Sequence, residues 1–559
     1  MSMNKLPRDH TRLALATLAA AVLAGCASAP PVATEPVKVK VLAINDFHGN
    51  LMPSAGGIRI QDPNDRSKSL TLRAGGAEHL ATAVQQLREK NPNHIFVAAG
   101  DLIGASPLLS ALFKDEPTVE SLSLMGLETS AVGNHEFDKG ATELLRMQNG
   151  GCAADGCKGP APFKGAQYRY LAASTIVTAT GKPLFPAYHV KRFQGVPVAF
   201  IGLTLKETPT IVVPSGVEGL SFQDEADTVN ALVPQLRAQG IEAIVVLIHE
   251  GGVPTGDYNE CPGISGPIVG IVKRLHPAVQ LVISGHTHRA YNCRIDGRLV
   301  TSGDKYGTIV TQIDLVLDRA TRDVISATAD NVIVRTASFA KDPRQTELIA
   351  AYEKLAAPLA GRVVGRLGAP LPRQNNPAGE NPLGQVIADA QLAATRDAGA
   401  VVAFMNPGGI RAALDMPADG LLRYADLFAV QPFYNNLMTM TLTGAQLLQL
   451  LEQQWAERSD GGRVLHVSQG FSYTWNAGAP VGQRIVAGSV RLHGQPLDPA
   501  ADVRVTVNSF LGGGGDNFPV LRQGRDRRTG MMDIDALELY VKSNPTLAPA
   551  TLNRITRVN

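Results

Sequence analysis

Five short polar clusters hold the residue types that could do chemistry in this chain: Asp46-Phe47-His48, Gly100-Asp101, Gly133-Asn134-His135-Glu136-Phe137-Asp138, His249, and Gly285-His286-Thr287-His288. Carboxylates, imidazoles and an amide make a mixed oxygen and nitrogen donor set, suited to Mn, Zn, Fe or Mg rather than to a metal that wants thiolates. Taken singly the clusters are commonplace, since a D-x-H is often a turn and an H-x-H a partly buried pair. Their placement gives them weight. Each follows a short apolar run, at 39–44, 95–99, 130–132, 243–248 and 281–284, and such runs between Gly-rich turns read as buried strands of an α/β layer fold. Side chains at the ends of neighbouring strands can be held rigidly around one point at the open edge of a sheet.

In this order the clusters resemble the calcineurin-like metallophosphoesterases, over most of residues 37–336. The resemblance implies a four-layer β-sandwich flanked by helices, built around two divalent metal ions. It implies that Asp46, His48 and His288 bind one metal, that Asn134, His249 and His286 bind the other, and that Asp101 bridges them. Two such cations activate a water and neutralise the charge that builds during in-line displacement at phosphorus. His135 stands outside the ligand set. Asp138, three residues on, would orient it to stabilise phosphoryl oxygens or to protonate the leaving group. Glu136 and Phe137 read as positioning and packing, and His79, His94, His189, His276, His466 and His493 as surface or ordinary satisfied histidines.

Residues 342–360 show helical spacing, with Leu348, Ile349, Tyr352 and Leu355 on one face and no proline between Pro343 and Pro358. They read as a linking helix, 337–361, between a first unit at 38–336 and a smaller α/β unit at 362–559. The smaller unit shows a helix at 444–455 and a strand-like stretch at 503–507. It also carries Asn406-Pro407-Gly408-Gly409-Ile410-Arg411, Gln431-Pro432-Phe433, and Asn508-Ser509-Phe510-Leu511 followed by four glycines and Asp516. The glycines, including Gly408, Gly409 and the run 512–515, would let backbone approach a ligand closely. Arg411 offers a planar fork for anionic oxygens, and Phe433 and Phe510 could face each other across a flat base.

This block resembles the C-terminal domain of bacterial 5′-nucleotidases, the exported family that includes periplasmic UDP-sugar hydrolases. By that resemblance Phe433 and Phe510 sandwich the base, Asp516 holds ribose hydroxyls, Asn406 contacts the base edge and Arg411 binds near the phosphate. One departure stands out. Family members often carry an arginine three residues before the glutamate of an E-x-x-L-G motif, whereas before Glu380 that place is Pro377. Arg373, seven residues before Glu380, would have to serve through a longer loop.

The rest of the chain bears on location and partners. Lys5, Arg8 and Arg12 precede an apolar run at 13–22 and then Leu23-Ala24-Gly25-Cys26. This is the order of a secretory signal, 1–25, with a run too short to span a bilayer. The small residues before Cys26 resemble a bacterial lipobox, so Cys26 is expected to carry a lipid, and Ala27 rather than aspartate points to the outer membrane. Residues 26–37 read as a tether. Removing Lys5, Arg8, Arg12 and Asp9 from 52 basic and 50 acidic residues leaves 49 of each, so net charge gives no reason to expect nucleic-acid binding. Beyond Cys26 four cysteines remain in an oxidising compartment, with three possible connectivities. Cys152 with Cys157 and Cys261 with Cys293 is the favoured one, because the first pair closes a small Gly-rich loop.

The sequence therefore points to an exported, lipid-anchored, dinuclear phosphohydrolase acting on nucleoside 5′-monophosphates. The alternatives with shared chemistry are UDP-sugar or dinucleotide pyrophosphate hydrolysis, a 2′,3′-cyclic phosphodiesterase with 3′-nucleotidase activity, and thiosulfohydrolysis. An alternative of another class is a non-catalytic nucleotide-binding surface lipoprotein, against which the full ligand set argues.

Overall fold

The computed structural model describes Met1 and residues 35–54, 56–456 and 462–559. The signal segment and Cys26 lie outside the described residues, among which no helix is long and apolar enough to cross a membrane.

Two six-stranded sheets face each other. The first runs Val324–Ile333, Ile309–Leu317, Val37–Ile44, His94–Ala98, Thr129–Ala131, Arg169–Leu171, with its last four strands parallel. The second runs Ala290–Ile295, Arg298–Gly303, Val279–Ser284, Ala243–His249, Val196–Thr204, Tyr188–Phe193, with its middle four parallel. Strand alternation explains why these runs are apolar throughout. Val37, Val39, Val41 and Ala43 point between the sheets onto Phe200, Val245, Leu247 and Ile283. Leu42 and Ile44 point the other way, under the helices Ala77–Arg88 and Glu116–Met125. The helices Glu225–Ala238 and Pro267–Arg274 cover the second sheet. Both faces of both sheets are thus buried, the condition under which parallel strands read as continuous hydrophobic runs. The result is the four-layer arrangement that the resemblance implies.

The helix Pro343–Ala360 starts where Asp342 accepts hydrogen bonds from the backbone N–H of Arg344 and Gln345, at 2.9 and 3.2 Å. That cap satisfies two of the donors a helix start leaves open. The helix lies along the first unit, where Gln345 accepts from Ser121 at 2.7 Å and Tyr352 donates to Glu120 at 3.0 Å. Beyond it is a five-stranded sheet, His466–Val467, Val402–Met405, Asp502–Asn508, Asn436–Thr443, Arg525–Met532. Gly444–Glu452, begun by a Thr443 and Gln446 capping box, covers one face. Pro382–Ala394, Tyr424–Val430 and Asp533–Ser543 cover the other. Leu108 and Ala111 of the first unit join that second core, so the two units meet through apolar side chains.

One histidine departs from expectation. His466 is fully buried, its Nε2 lies 3.2 Å from Asn381 Nδ2, and its Nδ1 has no hydrogen-bond partner among the described residues. Burial pushes it down to about 4, so it is neutral at physiological pH.

The disulfides are Cys152–Cys157 and Cys261–Cys293, with Cα atoms 4.6 and 5.2 Å apart. The second closes a loop of sequence separation 32 that carries Gly266 and the helix Pro267–Arg274 of the outer layer. Replacing Cys261 and Cys293 together by Ser should lower unfolding free energy by about 3 kcal/mol, against a smaller loss for the Cys152 and Cys157 pair. Denaturant titration with and without reductant measures both.

Candidate metal centre and adjoining cavity

The strand ends Ile44, Ala98, Ala131, His249 and Ser284 bring the polar clusters to one edge of the sandwich. Immediately after the strands the chain turns sharply. Five of the seven candidate ligands have positive φ: Asp46 at 50°, His48 at 45°, Asp101 at 49°, His286 at 69° and His288 at 53°. A side chain in the left-handed region costs on the order of 1 kcal/mol, and here the cost recurs along one edge. Gly133 is required for a different reason, because a Cβ there would stand 2.2 Å from Asp101 Oδ1.

The ligands form two groups. Asp46 Oδ1 lies 3.2 Å from His288 Nε2 and 3.8 Å from His48 Nε2, and the two imidazole Nε2 atoms are 3.1 Å apart. Asp101 Oδ2 lies 3.0 Å from His249 Nε2, and Asn134 Oδ1 lies 3.1 Å from His286 Nδ1. The candidate ligand atoms of Asp101, His249 and His286 lie within 4.8 Å of one another, as do those of Asp46, His48 and His288, close enough for each trio to hold a cation. Asp101 stands between the groups, its Oδ2 also 3.6 Å from His48 Nε2.

Backbone carbonyls fix the imidazoles. His48 Nδ1 donates to Gly104 O at 2.9 Å and His249 Nδ1 to Ala99 O at 2.8 Å, which turns each Nε2 toward the centre. His249 Nε2 is buried and has no hydrogen-bond partner among the described residues, with Asp101 Oδ2 3.0 Å away. Burial favours neutral imidazole at His48 and His286, the latter pushed down to about 3 with help from His249. Burial also raises the Asp46 carboxyl, but His288 and His249 outweigh it and hold Asp46 at about 2. His249 goes the other way: Asp101 overcomes the burial and raises it to about 10. Converging lone pairs, two buried carboxylates and an orphaned imidazole nitrogen fit a pair of divalent cations.

Glu136 ties this edge together. It accepts from the backbone N–H of Asp101, Leu102 and Gly133 at 2.9, 2.8 and 2.6 Å, joining two ligand-bearing turns. The positioning role read from sequence has that geometry. His135 Nδ1 sits 2.8 Å from Asp138 Oδ2, and Asp101 Oδ1 accepts from His135 N at 2.9 Å. Burial lowers the His135 imidazole, yet the Asp138 and Asp101 carboxylates prevail and raise it.

A cavity of about 280 Å³ opens from this edge and is lined by both units. Asn134, His135, Asp138 and His286 face it from the first, and Asn406, Gly408, Gly409, Arg411, Phe433, Phe510 and Asp516 from the second. Phe433 stacks on His135 with centroids 5.9 Å apart and lies 5.9 Å from the Arg411 guanidinium, whose Nε and Nη2 are buried without a hydrogen-bond partner among the described residues. Asp516 accepts from Asn406 Nδ2 at 2.8 Å and pairs with Arg463, while Asn508 Nδ2 donates to Asn406 Oδ1 at 2.9 Å. Arg373 is beside this group, donating to Arg411 O at 2.5 Å, but does not line the cavity. The glycine run 512–515 stays out of it too. Gly515 makes room for the Phe510 ring, which a Cβ would meet at 2.5 Å, and Gly514 supplies a left-handed turn at φ 84°. Sequence reasoning missed Arg463, Asn435 and the aliphatic stretch 211–213, all lining the cavity. It also missed Tyr306, whose ring lies 5.9 Å from His48. Arg463 is flanked by Gly462 and no motif marks it, and 211–213 has the look of ordinary core.

The calcineurin-like phosphoesterase family matches residues 39–290, and the 5′-nucleotidase C-terminal domain family matches residues 361–523. The cell wall protein Lmo0130 of Listeria monocytogenes is 31% identical over 548 residues, 91% of this chain and 68% of that protein. The chain belongs to the 5′-nucleotidase family. Endonuclease YhcR of Bacillus subtilis is 30% identical over 538 residues, 96% of this chain but only 42% of that longer protein. The crystal structure of a 5′-nucleotidase precursor from Thermus thermophilus superposes with a TM-score of 0.76 at 25% identity, covering 93% of this chain and 99% of that one. As a member of the 5′-nucleotidase family the chain is a metal-dependent phosphoesterase with two candidate metal sites.

Glu136 gives the site its sharpest test. Glu136→Gln would turn an amide N–H₂ toward backbone N–H groups, costing about 1–3 kcal/mol and displacing the turns that carry Asp101 and Asn134. The variant should bind fewer than two metals per chain by elemental analysis. Asp101→Asn should lose both metal and turnover while far-UV circular dichroism stays unchanged.

Proposed function

We propose that this chain is an exported, lipid-anchored 5′-nucleotidase that releases phosphate from nucleoside 5′-monophosphates. One observation carries the reading. A single cavity has candidate metal ligands and the His135–Asp138 pair at one end, and the Phe433, Phe510, Asn406 and Asp516 side chains of the other unit around the rest. A phosphate monoester with a flat base and a polyhydroxyl sugar matches that distribution of charge, aromatic surface and hydrogen-bonding groups. The domains we assign are residues 38–336 for chemistry, 337–361 for the link and 362–559 for substrate binding, behind a signal at 1–25 and a tether at 26–37 anchored through Cys26.

In this reading Asp46, His48 and His288 would hold one divalent cation and Asn134, His249 and His286 the second, with Asp101 serving both. When bound, the cations supply an activated hydroxide and neutralise charge at phosphorus. His135 uses Nδ1 to bind Asp138, which leaves Nε2 to carry a proton toward the phosphoryl or leaving oxygen. Arg411, whose Nε and Nη2 have no hydrogen-bond partner among the described residues, would bind the phosphate, and Arg373 steadies the Arg411 backbone. Phe433 and Phe510 take the base, Asp516 the ribose and Asn406 the base edge, with Gly408 and Gly409 keeping that wall thin.

A phosphate-release screen of the purified enzyme against 5′-mononucleotides, UDP-glucose, NAD and 2′,3′-cyclic nucleotides, with Mn and Zn compared, tests the substrate. Mononucleotides should give the highest kcat/KM, and chelator should abolish it. Preference for UDP-glucose or NAD would replace the monoesterase reading with pyrophosphate hydrolysis. Phe433→Ala and Phe510→Ala should each lower the ratio of mononucleotide to p-nitrophenyl phosphate kcat/KM by about tenfold, from stacking worth about 1–3 kcal/mol per base. Equal losses on both substrates would reassign the rings to packing.

A further inference from the structure

The phosphoesterase unit supplies more than chemistry to this cavity. After the strand Val196–Thr204 the chain forms a short helix, Thr208–Ile211, and a tight turn, Pro214–Val217. Pro209 and Pro214, each in the first turn of its element, fix φ there and stiffen the segment. Ile211, Val212 and Val213 line the cavity beside His135 and Asp138.

Two close approaches hold this segment in place. Val212, 2% exposed, and Val217 belong to the same buried cluster as Phe137. A Cβ on Gly216 would stand 2.5 Å from Phe137 O, so the segment rests directly on the turn that carries His135 and Asp138. On its other side it meets the second unit. A Cβ on Gly513 would stand 3.2 Å from Pro214 Cδ, in the turn that leads to Asp516.

We infer that residues 211–213 form a further wall of the nucleoside pocket and set the preference for a nucleoside ester over smaller phosphate esters, a role that rests on the nucleotide reading above. Aliphatic side chains offer a phosphate nothing. Their contribution is to cover carbon atoms of a base or sugar, removing apolar surface from water. Selectivity for the nucleoside then comes from both units, and the Gly216–Phe137 contact holds the wall in register with the His135 turn.

The test reads binding separately from chemistry. In the metal-loaded enzyme, adenosine, guanosine, cytidine and uridine are each measured as competitive inhibitors of p-nitrophenyl phosphate hydrolysis, beside inorganic phosphate. Ile211→Ala and Val213→Ala remove two or three carbons from the wall and should raise the inhibition constant of the best nucleoside about tenfold. The constant for inorganic phosphate should move less than about twofold. Val213→Thr keeps the shape and places a hydroxyl against the ligand, so it should weaken the nucleoside without the packing defect of a truncation. Nucleoside and phosphate constants that rise together, or a nucleoside constant that stays put in all three variants, would overturn the inference alone. A parent enzyme that no nucleoside inhibits and that releases no phosphate from mononucleotides would remove the nucleotide reading, and this inference with it.

Discussion

The structure depends on gathering two carboxylates and four imidazoles, together with an amide, at one buried point. Asp46, His48, Asp101 and His249 are almost wholly removed from water, where each charge or lone pair costs free energy unless something compensates it. Part of the compensation is internal, since His288 and His249 hold the Asp46 carboxyl down and Asp101 raises the His249 imidazole. The Nε2 atoms of His48 and His288 lie 3.1 Å apart, and His249 Nε2 has no hydrogen-bond partner among the described residues. Positive φ at five of these residues adds backbone strain to the electrostatic cost. Two divalent cations held there would offset the electrostatic part, and the surrounding scaffold keeps the donors in place.

That scaffold is the stacked pair of sheets. Their strands are held on both faces by closely packed apolar side chains, so their ends are fixed points. Glu136 then locks the turns to each other through three backbone donors, and carbonyls at Gly104 and Ala99 set the tautomers of His48 and His249. The precision of the centre therefore comes from backbone groups one layer behind the ligands. The second unit has a looser relation to it. Its contribution reaches the metal edge through Phe433 and Arg411 on loops, and through an apolar contact at Leu108 and Ala111.

Much of the site is legible in the amino-acid sequence. The ordered clusters name every candidate ligand, and the apolar runs before them mark the strands to within one or two residues: 39–44 is Val37–Ile44, and 243–248 is Ala243–His249. The linking helix at 342–360 matches Pro343–Ala360 with Asp342 as its cap. Its signal is local, a polar cap followed by helical spacing. The glycine run 512–515 misleads, because glycine permits both close approach to a ligand and close packing of a neighbouring ring, and composition does not distinguish them.

What the sequence determined by itself was chemistry and local form: donor types, strand and helix positions, and the cysteines available to pair. Those follow from side-chain type and from periodicities of two and 3.6 residues, which act over short spans. Tertiary structure alone decided which donors lie close enough to share a cation, since Asp46 meets His288 from 242 residues away along the chain. It also decided that Arg463 reaches Asp516, that His466 is buried, and that the aliphatic stretch 211–213 faces a cavity instead of a core. Each of these is set by the packing of one sheet on another and of one unit on the next, contacts between distant segments that no local pattern encodes.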